Sequence, residues 1–173
     1  MDYIASLSDD KMRYLYYESS PGQTSPEQLF YYKDGYSYGT GENTNQYYVG
    51  FYLKKHIFDI RSFSIGSSLN PTNSRVHPVT WKLMGSVDEQ NWFVIDSHTN
   101  DNLLNGFDLK AHIDVQGCLV RHIRFVSPSY FALRYLDFFG NLYPYNFKAS
   151  PCLVKYYYCQ IISLWHMVIP ILL

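Results

Sequence analysis

A chain of 173 residues, 47% of them apolar, is long enough for one domain with its own core. Aromatics make up 18% of it, with 18 Tyr and 11 Phe, a composition that favours half-buried strands over helices. A formal net charge of -1 leaves no basic field to hold a phosphate backbone, which excludes nonspecific nucleic-acid binding.

Residues 1–27 read as a polar leader that packs only in part, broken by Ser19-Ser20-Pro21-Gly22 and Ser25-Pro26. Its start, M-D-Y-I-A-S-L-S-D-D-K, has neither a basic opening nor an apolar core, so no secretory signal is expected. The run from Arg13 to Tyr17 is a candidate first strand with no fixed register. Residues 33–46 are rich in Gly, Asn, Ser and Thr and form a first long loop. Its Gly35, Gly39 and Gly41 lack the lysine and the strand-turn-helix setting of a phosphate loop.

Tyr47, Val49, Phe51 and Leu53 alternate as a half-buried strand, closed by Lys54-Lys55. In the next strand the apolar set Phe58, Ile60 steps out of phase to Phe63, Ile65, which predicts a bulge near Arg61-Ser62. Residues 66–78 are a second long loop, ending Arg75-Val76-His77-Pro78. Two long loops around one strand pair suit a binding site carried on loops.

The stretch from Val79 to Asp96 is the clearest element, two alternating arms around the polar turn Gly85–Asn91. Trp81, Leu83 and Trp92 are assigned to the core, with Val94 and Ile95 continuing the second arm. Beyond it, Phe107 to Asp114 alternates; Ile123 and Phe125 face inward, with His122 and Arg124 outward; Leu136 and Phe138 open the last strand. About eight short strands are expected.

From Tyr143 onward the chain carries no acid, and residues 156–173 carry no formal charge. As a helix those 18 residues would span about 27 Å, on the threshold of a bilayer core. A membrane anchor, packing on the sandwich and a non-native extension all remain open for residues 144–173. Cys118, Cys152 and Cys159 are irregularly spaced, which fits a reducing, cytoplasmic setting, and no Asn-x-Ser/Thr acceptor with a permitted middle residue occurs.

The order W-x-L-x-G-S-x-D-x-x-x-W-x-x-I-D, then Leu103-Leu104-Asn105-Gly106, R-H-I-R-F from Arg121 and L-D-F-F-G-N-L from Leu136, is similar to the discoidin, or coagulation-factor type C, domains. The likeness is greatest to their cysteine-poor intracellular relatives and covers residues 28–143. It implies an all-β fold, an antiparallel β-sandwich of the galactose-binding-like jelly-roll type, with ligand loops at one end. Family members bind glycans, lipid head groups or proteins, and some related modules recruit substrates to ubiquitin ligases. Secreted members tie their ends with a disulfide, and here no cysteine precedes Cys118.

The function expected is therefore a non-catalytic recognition module for a protein partner or a glycan, with adhesion through a membrane-associated tail as an alternative and a small hydrolase as a remote one. Candidate ligand contacts are the loop aromatics Tyr36, Tyr38 and Tyr130, and the donor group Asn73, Arg75 and His77. The six histidines show no His-x-x-x-His spacing and the cysteines no Cys-x-x-Cys pair, so no metal or other cofactor is called for. A calcium ion on Asp96 and Asp101 stays open.

Overall fold

The computed structural model describes residues 2–3, 15–19, 26–29, 38–40, 47–69 and 76–145. Ten strands occur among them: β1 (Asp2–Tyr3), β2 (Leu15–Ser19), β3 (Tyr38–Gly39), β4 (Tyr47–Leu53), β5 (His56–Ser67), β6 (Trp81–Ser86), β7 (Trp92–His98), β8 (Lys110–Val120), β9 (His122–Ser127) and β10 (Ala132–Pro144). One sheet runs β1-β10-β5-β8, with β3 also on β10; the other runs β2-β4-β9-β6-β7. All pairs are antiparallel, and the two sheets form a jelly-roll β-sandwich.

The period-two pattern explains the layers. Val49, Phe51 and Leu53 of β4, Ile123 and Phe125 of β9, and Trp81 and Leu83 of β6 turn their side chains inward and are almost wholly buried. They meet Phe58, Ile60, Phe63 and Ile65 of β5 with Leu136 and Phe138 of β10 in one core. Aromatic edges join the sheets: Phe51 lies 5.3 Å from Phe138 and Phe63 lies 6.3 Å from Trp81, both edge-on.

The bulge expected near Arg61 is present, with the β5–β8 register shifting between Ile60 and Ser62. The β10 side shifts at the same place, between Phe139 and Gly140. One extra residue lets Phe58 and Ile60 share an inward face with Phe63 and Ile65. It also turns Arg61 outward onto Asp59, at 2.5 Å, beside Gly117, where a Cβ would come within 2.5 Å of the guanidinium.

A second bulge, not foreseen, lies in β7. Leu83 faces Asp96 and Met84 faces Val94, which leaves Ile95 as the extra residue. Phe93 and Ile95 therefore pack on the core, while Trp92 and Val94 turn outward. The expectation that Trp92 belongs to the core is corrected: its ring is half-buried on the outer face.

Two strands of the leader join the sheets, Asp2 pairing with Gly140 and Leu15 with Leu53. No helix among the described residues is long and apolar enough to cross a membrane. The apolar extension from residue 146 onward lies outside the described residues.

Candidate functional site

Strand directions sort the loops into two ends. The turns at residues 54–55, 87–91 and 121 close one end; at the other gather residues 38–40, the start of β4, residues 68–69 and 76–80, and the loops 99–109 and 128–131. The second end is cross-tied. Thr40 N donates to Phe131 O at 3.0 Å, and Asp108 N donates to Ser68 O at 3.2 Å. Ser67 Oγ donates to Gly106 O at 2.6 Å and accepts from Leu109 N at 2.8 Å.

His98 organises this rim. Its ring stacks on Trp81 with centroids 4.2 Å apart, while Nε2 meets Asp96 Oδ2 at 3.0 Å and Nδ1 meets Asp101 Oδ2 at 2.5 Å. Burial pushes the imidazole down, but the hydrogen bonds and charges of Asp101 and Asp96 outweigh it, so its pKa is raised. Asp101 is lowered chiefly by His98 and also by the amide of Leu103. These carboxylates, left open for calcium by the sequence, bind the imidazole instead. Asp101 N donates to Val79 O at 2.9 Å and Asn100 N to Thr80 Oγ1 at 3.1 Å, which ties the 99–103 turn to the start of β6.

A cleft of about 570 Å³ runs from this rim onto the outer face of the second sheet. Tyr47 and Tyr48 of β4 form one wall. Thr80, Trp81 and Lys82 form the other, and Arg124, Val126, Ser127 and Pro128 lie between. Its upper row is set by pairing, Tyr48 opposite Val126 and Val126 opposite Lys82. The next row is Gly50, Arg124 and Met84. A Cβ at Gly50 would lie 2.0 Å from Ile123 O and 3.0 Å from Arg124 Cγ, so only glycine lets the arginine stem lie flat there.

Arg124 is held between two rings, its Cζ 4.3 Å from the Trp92 centroid and 5.0 Å from that of Tyr48. Trp92 is itself fixed by the hairpin turn, its Nε1 donating to Glu89 O at 2.9 Å. That turn is built on Asp88, which accepts from Asn91 N at 2.8 Å, Asn91 Nδ2 at 2.7 Å and Gln90 N at 2.9 Å. Those hydrogen bonds, led by Asn91, hold the Asp88 carboxyl far below the usual carboxylate range. Ser86 Oγ accepts from Glu89 N at 2.9 Å, and Glu89 takes a left-handed backbone with φ 64°. The result is a pre-set guanidinium beside hydroxyls and aromatic rings.

Of the contacts expected from sequence, Tyr36, Asn73 and Arg75 lie outside the described residues. Tyr38 is corrected. It is a β3 residue paired with Leu133, fully buried against Phe131, and no platform for a ligand. Its hydroxyl is raised by burial, against a hydrogen bond with Ser19. His77 is likewise corrected: it packs inward at 7% exposure and does not project from its loop. Tyr130 stands half-buried on the 128–131 loop at the expected end. Sequence reasoning missed the cleft residues Tyr48, Thr80, Lys82, Arg124 and Ser127. The available signal was that Lys82 and Arg124 are outward cations on strands, not on loops.

No protein-family model and no curated protein matches the chain. Solved structures do. CBM32-1 from a family 31 glycoside hydrolase of Clostridium perfringens aligns over 72% of this chain and 93% of its own, at 14% identity and a TM-score of 0.57. Chitosan-binding module 1 from a chitosanase/glucanase of Paenibacillus sp. IK-5 aligns over 72% and 94%, at 11% identity and 0.56. CpGH89CBM32-5 from Clostridium perfringens, in complex with GalNAc-beta-1,3-galactose, aligns over 73% and 95%, at 13% identity and 0.54. The chain thus shares the jelly-roll fold of these carbohydrate-binding modules, close to the whole length of each.

Proposed function

We propose that this protein is a glycan-recognition module of the discoidin-like type that binds a saccharide in the cleft between Tyr48 and Lys82. The observation that carries the reading is the cleft's composition. It combines a tyrosine ring able to lie on the apolar face of a pyranose with the Thr80 and Ser127 hydroxyls and two cationic donors for sugar oxygens. Solved neighbours of the same fold are carbohydrate-binding modules, which supports the same ligand class. Hydrolysis of a glycoside ordinarily uses two flanking carboxylates, and the residues lining the cleft include none, which supports binding without catalysis. Cysteine usage favours a cytoplasmic setting, with attachment through residues 144–173 as the alternative.

A glycan array probed with the purified protein tests this. Binding to a saccharide class, weakened about tenfold or more by Tyr48→Ala, is the expected outcome. An array with no signal above background removes the reading. Protein recruitment is the second reading, favoured by Phe107 and Leu109, which stand 53% and 36% exposed on the 99–109 loop at the same end. It predicts a partner interaction that survives added sugar and is lost in Phe107→Ser.

A further inference from the structure

We infer that this protein pairs with a second copy of itself through β8, edge to edge and antiparallel, about a two-fold axis at His112. Among the described strands β8 is bonded to β5 alone and ends its sheet. Lys110, His112 and Asp114 stand in solvent, the side chains of the last two 53% and 91% exposed. The direction of the backbone groups follows from the ladder. Ser67 N donates to Leu109 O at 2.9 Å, so by the alternation of an antiparallel pair Leu109, Ala111 and Ile113 turn their amides and carbonyls toward β5. Those of Lys110, His112 and Asp114 point off the sheet. Such a row is a template for another strand.

Residues 110–114 hold neither proline nor bulge, the usual protections of an edge. Both neighbours are protected: the β8 ladder breaks just beyond, where Ser62 faces Asp114 and Ile60 faces Cys118, and β7, the edge of the other sheet beside it, is bulged at Ile95. What the flat piece carries is charge, and the charge is self-complementary. Laying its five residues antiparallel on their own copy sets Lys110 opposite Asp114 of the second copy, twice by symmetry, with His112 opposite its equivalent. On the inward side Ala111 meets Ile113, both half-buried against the core. Among the described residues Lys110 makes no ion pair and Asp114 has only His112 at 3.7 Å, a ring that Ser64 Oγ also holds at 2.8 Å. A strand of another sequence would leave these charges unmatched, so the pattern selects the copy. An axis at His112 normal to the sheet continues β1-β10-β5-β8 into its copy and turns the outer faces of both β2-β4-β9-β6-β7 sheets the same way. On the glycan reading, the two clefts then meet one glycan surface together.

Sedimentation velocity of the full chain, without any glycan and over concentrations from about 1 μM to about 1 mM, tests the inference. A small edge contact makes a weak dimer, which should appear within that range. Lys110→Asp sets a carboxylate against Asp114 at both pairs, and Asp114→Lys sets an ammonium against Lys110; each should weaken the dimer about tenfold. The double exchange Lys110→Asp with Asp114→Lys should restore it. Both side chains are exposed, so the variants keep the fold. Amide exchange should slow with rising concentration at Lys110, His112 and Asp114, and not at Ala111 and Ile113, which already bond to β5. A chain that stays monomeric throughout overturns the inference. So does a dimer indifferent to both single exchanges, or one whose slowed amides lie outside β8. Each of those results leaves the glycan array to be judged by itself.

Discussion

The outer faces of the two sheets use the same strand grammar to opposite ends. On the face of β5, β8 and β10, small hydroxyls alternate with matched charges: Ser64 Oγ lies 2.8 Å from His112 Nδ1, Arg61 sits on Asp59, and Tyr135 packs flat over Gly66. On the face of β4, β9, β6 and β7, rings and cations cluster: Tyr52 stacks on His122 at 5.0 Å, Trp92 meets His122 edge-on at 6.2 Å, and Arg124 lies on Trp92. The first arrangement satisfies itself. The second leaves a cleft, and the lesson is that the proposed site lies where the outward pattern is unbalanced rather than where loops are longest.

The comparison breaks most severely at Trp81. Removing its ring in Trp81→Ala deletes contacts with Phe63, Phe125 and His98 and should cost about 3–5 kcal/mol in urea denaturation. The glycines sharpen the contrast between faces. In Gly50→Ala the new methyl meets the Ile123 carbonyl, which is backbone in the middle of a sheet, so a loss of about 2–3 kcal/mol is expected. In Gly66→Ala the obstacle is the Tyr135 ring at 2.4 Å, a side chain on the surface that swings aside, and the loss should be about 1 kcal/mol. A similar loss in both would deny that distinction. Trp92→Ala should cost only about 1 kcal/mol, from the cation–π contact and the turn hydrogen bond, while weakening the proposed glycan binding by loosening Arg124.

Smaller effects follow from titration. His98 has a raised pKa, so its contribution to stability is full below its ordinary 6.5 and is lost as pH rises through the raised value. Asp101 is lowered, so its contribution is full above its ordinary 3.8 and is lost as pH falls through the lowered value. The 99–103 turn should therefore be tightest between pH 3.8 and 6.5, with lower amide protection factors at Asn100, Asp101 and Leu103 on either side. His98→Gln should flatten the alkaline limb. The smallest expected effect is at Cys118, whose thiol burial pushes up to about 12, with Asp59 adding to the shift against Arg61. Alkylation at pH 8, followed by site-resolved mass spectrometry, should be slow at Cys118 in the native protein and fast in urea.

How far the sequence reads is clearest in the two bulges. Around Arg61 the mismatch Phe58, Ile60, Phe63, Ile65 announced an extra residue, since four large apolar side chains required one face. In β7 the run Trp92-Phe93-Val94-Ile95 is apolar at every position, so parity was undetermined and tryptophan, the largest ring, took the interior by default. β1 was hidden, and β2, offered as Arg13–Tyr17, had no register, for another reason: their partners, Gly140 and Leu53, lie far along the chain and no local alternation reveals the pairing. Tyr38 looked like a loop residue because its neighbours are polar, yet two residues of ladder with β10 suffice to bury it. The cleft itself was half visible. Arg124 and Lys82 alternate with core positions and so point outward by period alone, but only the strand order β4-β9-β6 brings them together with Tyr48.

The extra residue at Ile95 makes the β7 arm a two-way selector. Were the ladder to close over it, with Ile95 opposite Met84, the occupants of the two sides from Trp92 to Val94 would exchange, sending an indole into hydrocarbon and a phenyl ring under the Arg124 guanidinium. A one-residue slip in register thus decides both how the interior is filled and which ring lies under Arg124, so core and outer face would be disturbed in a single step.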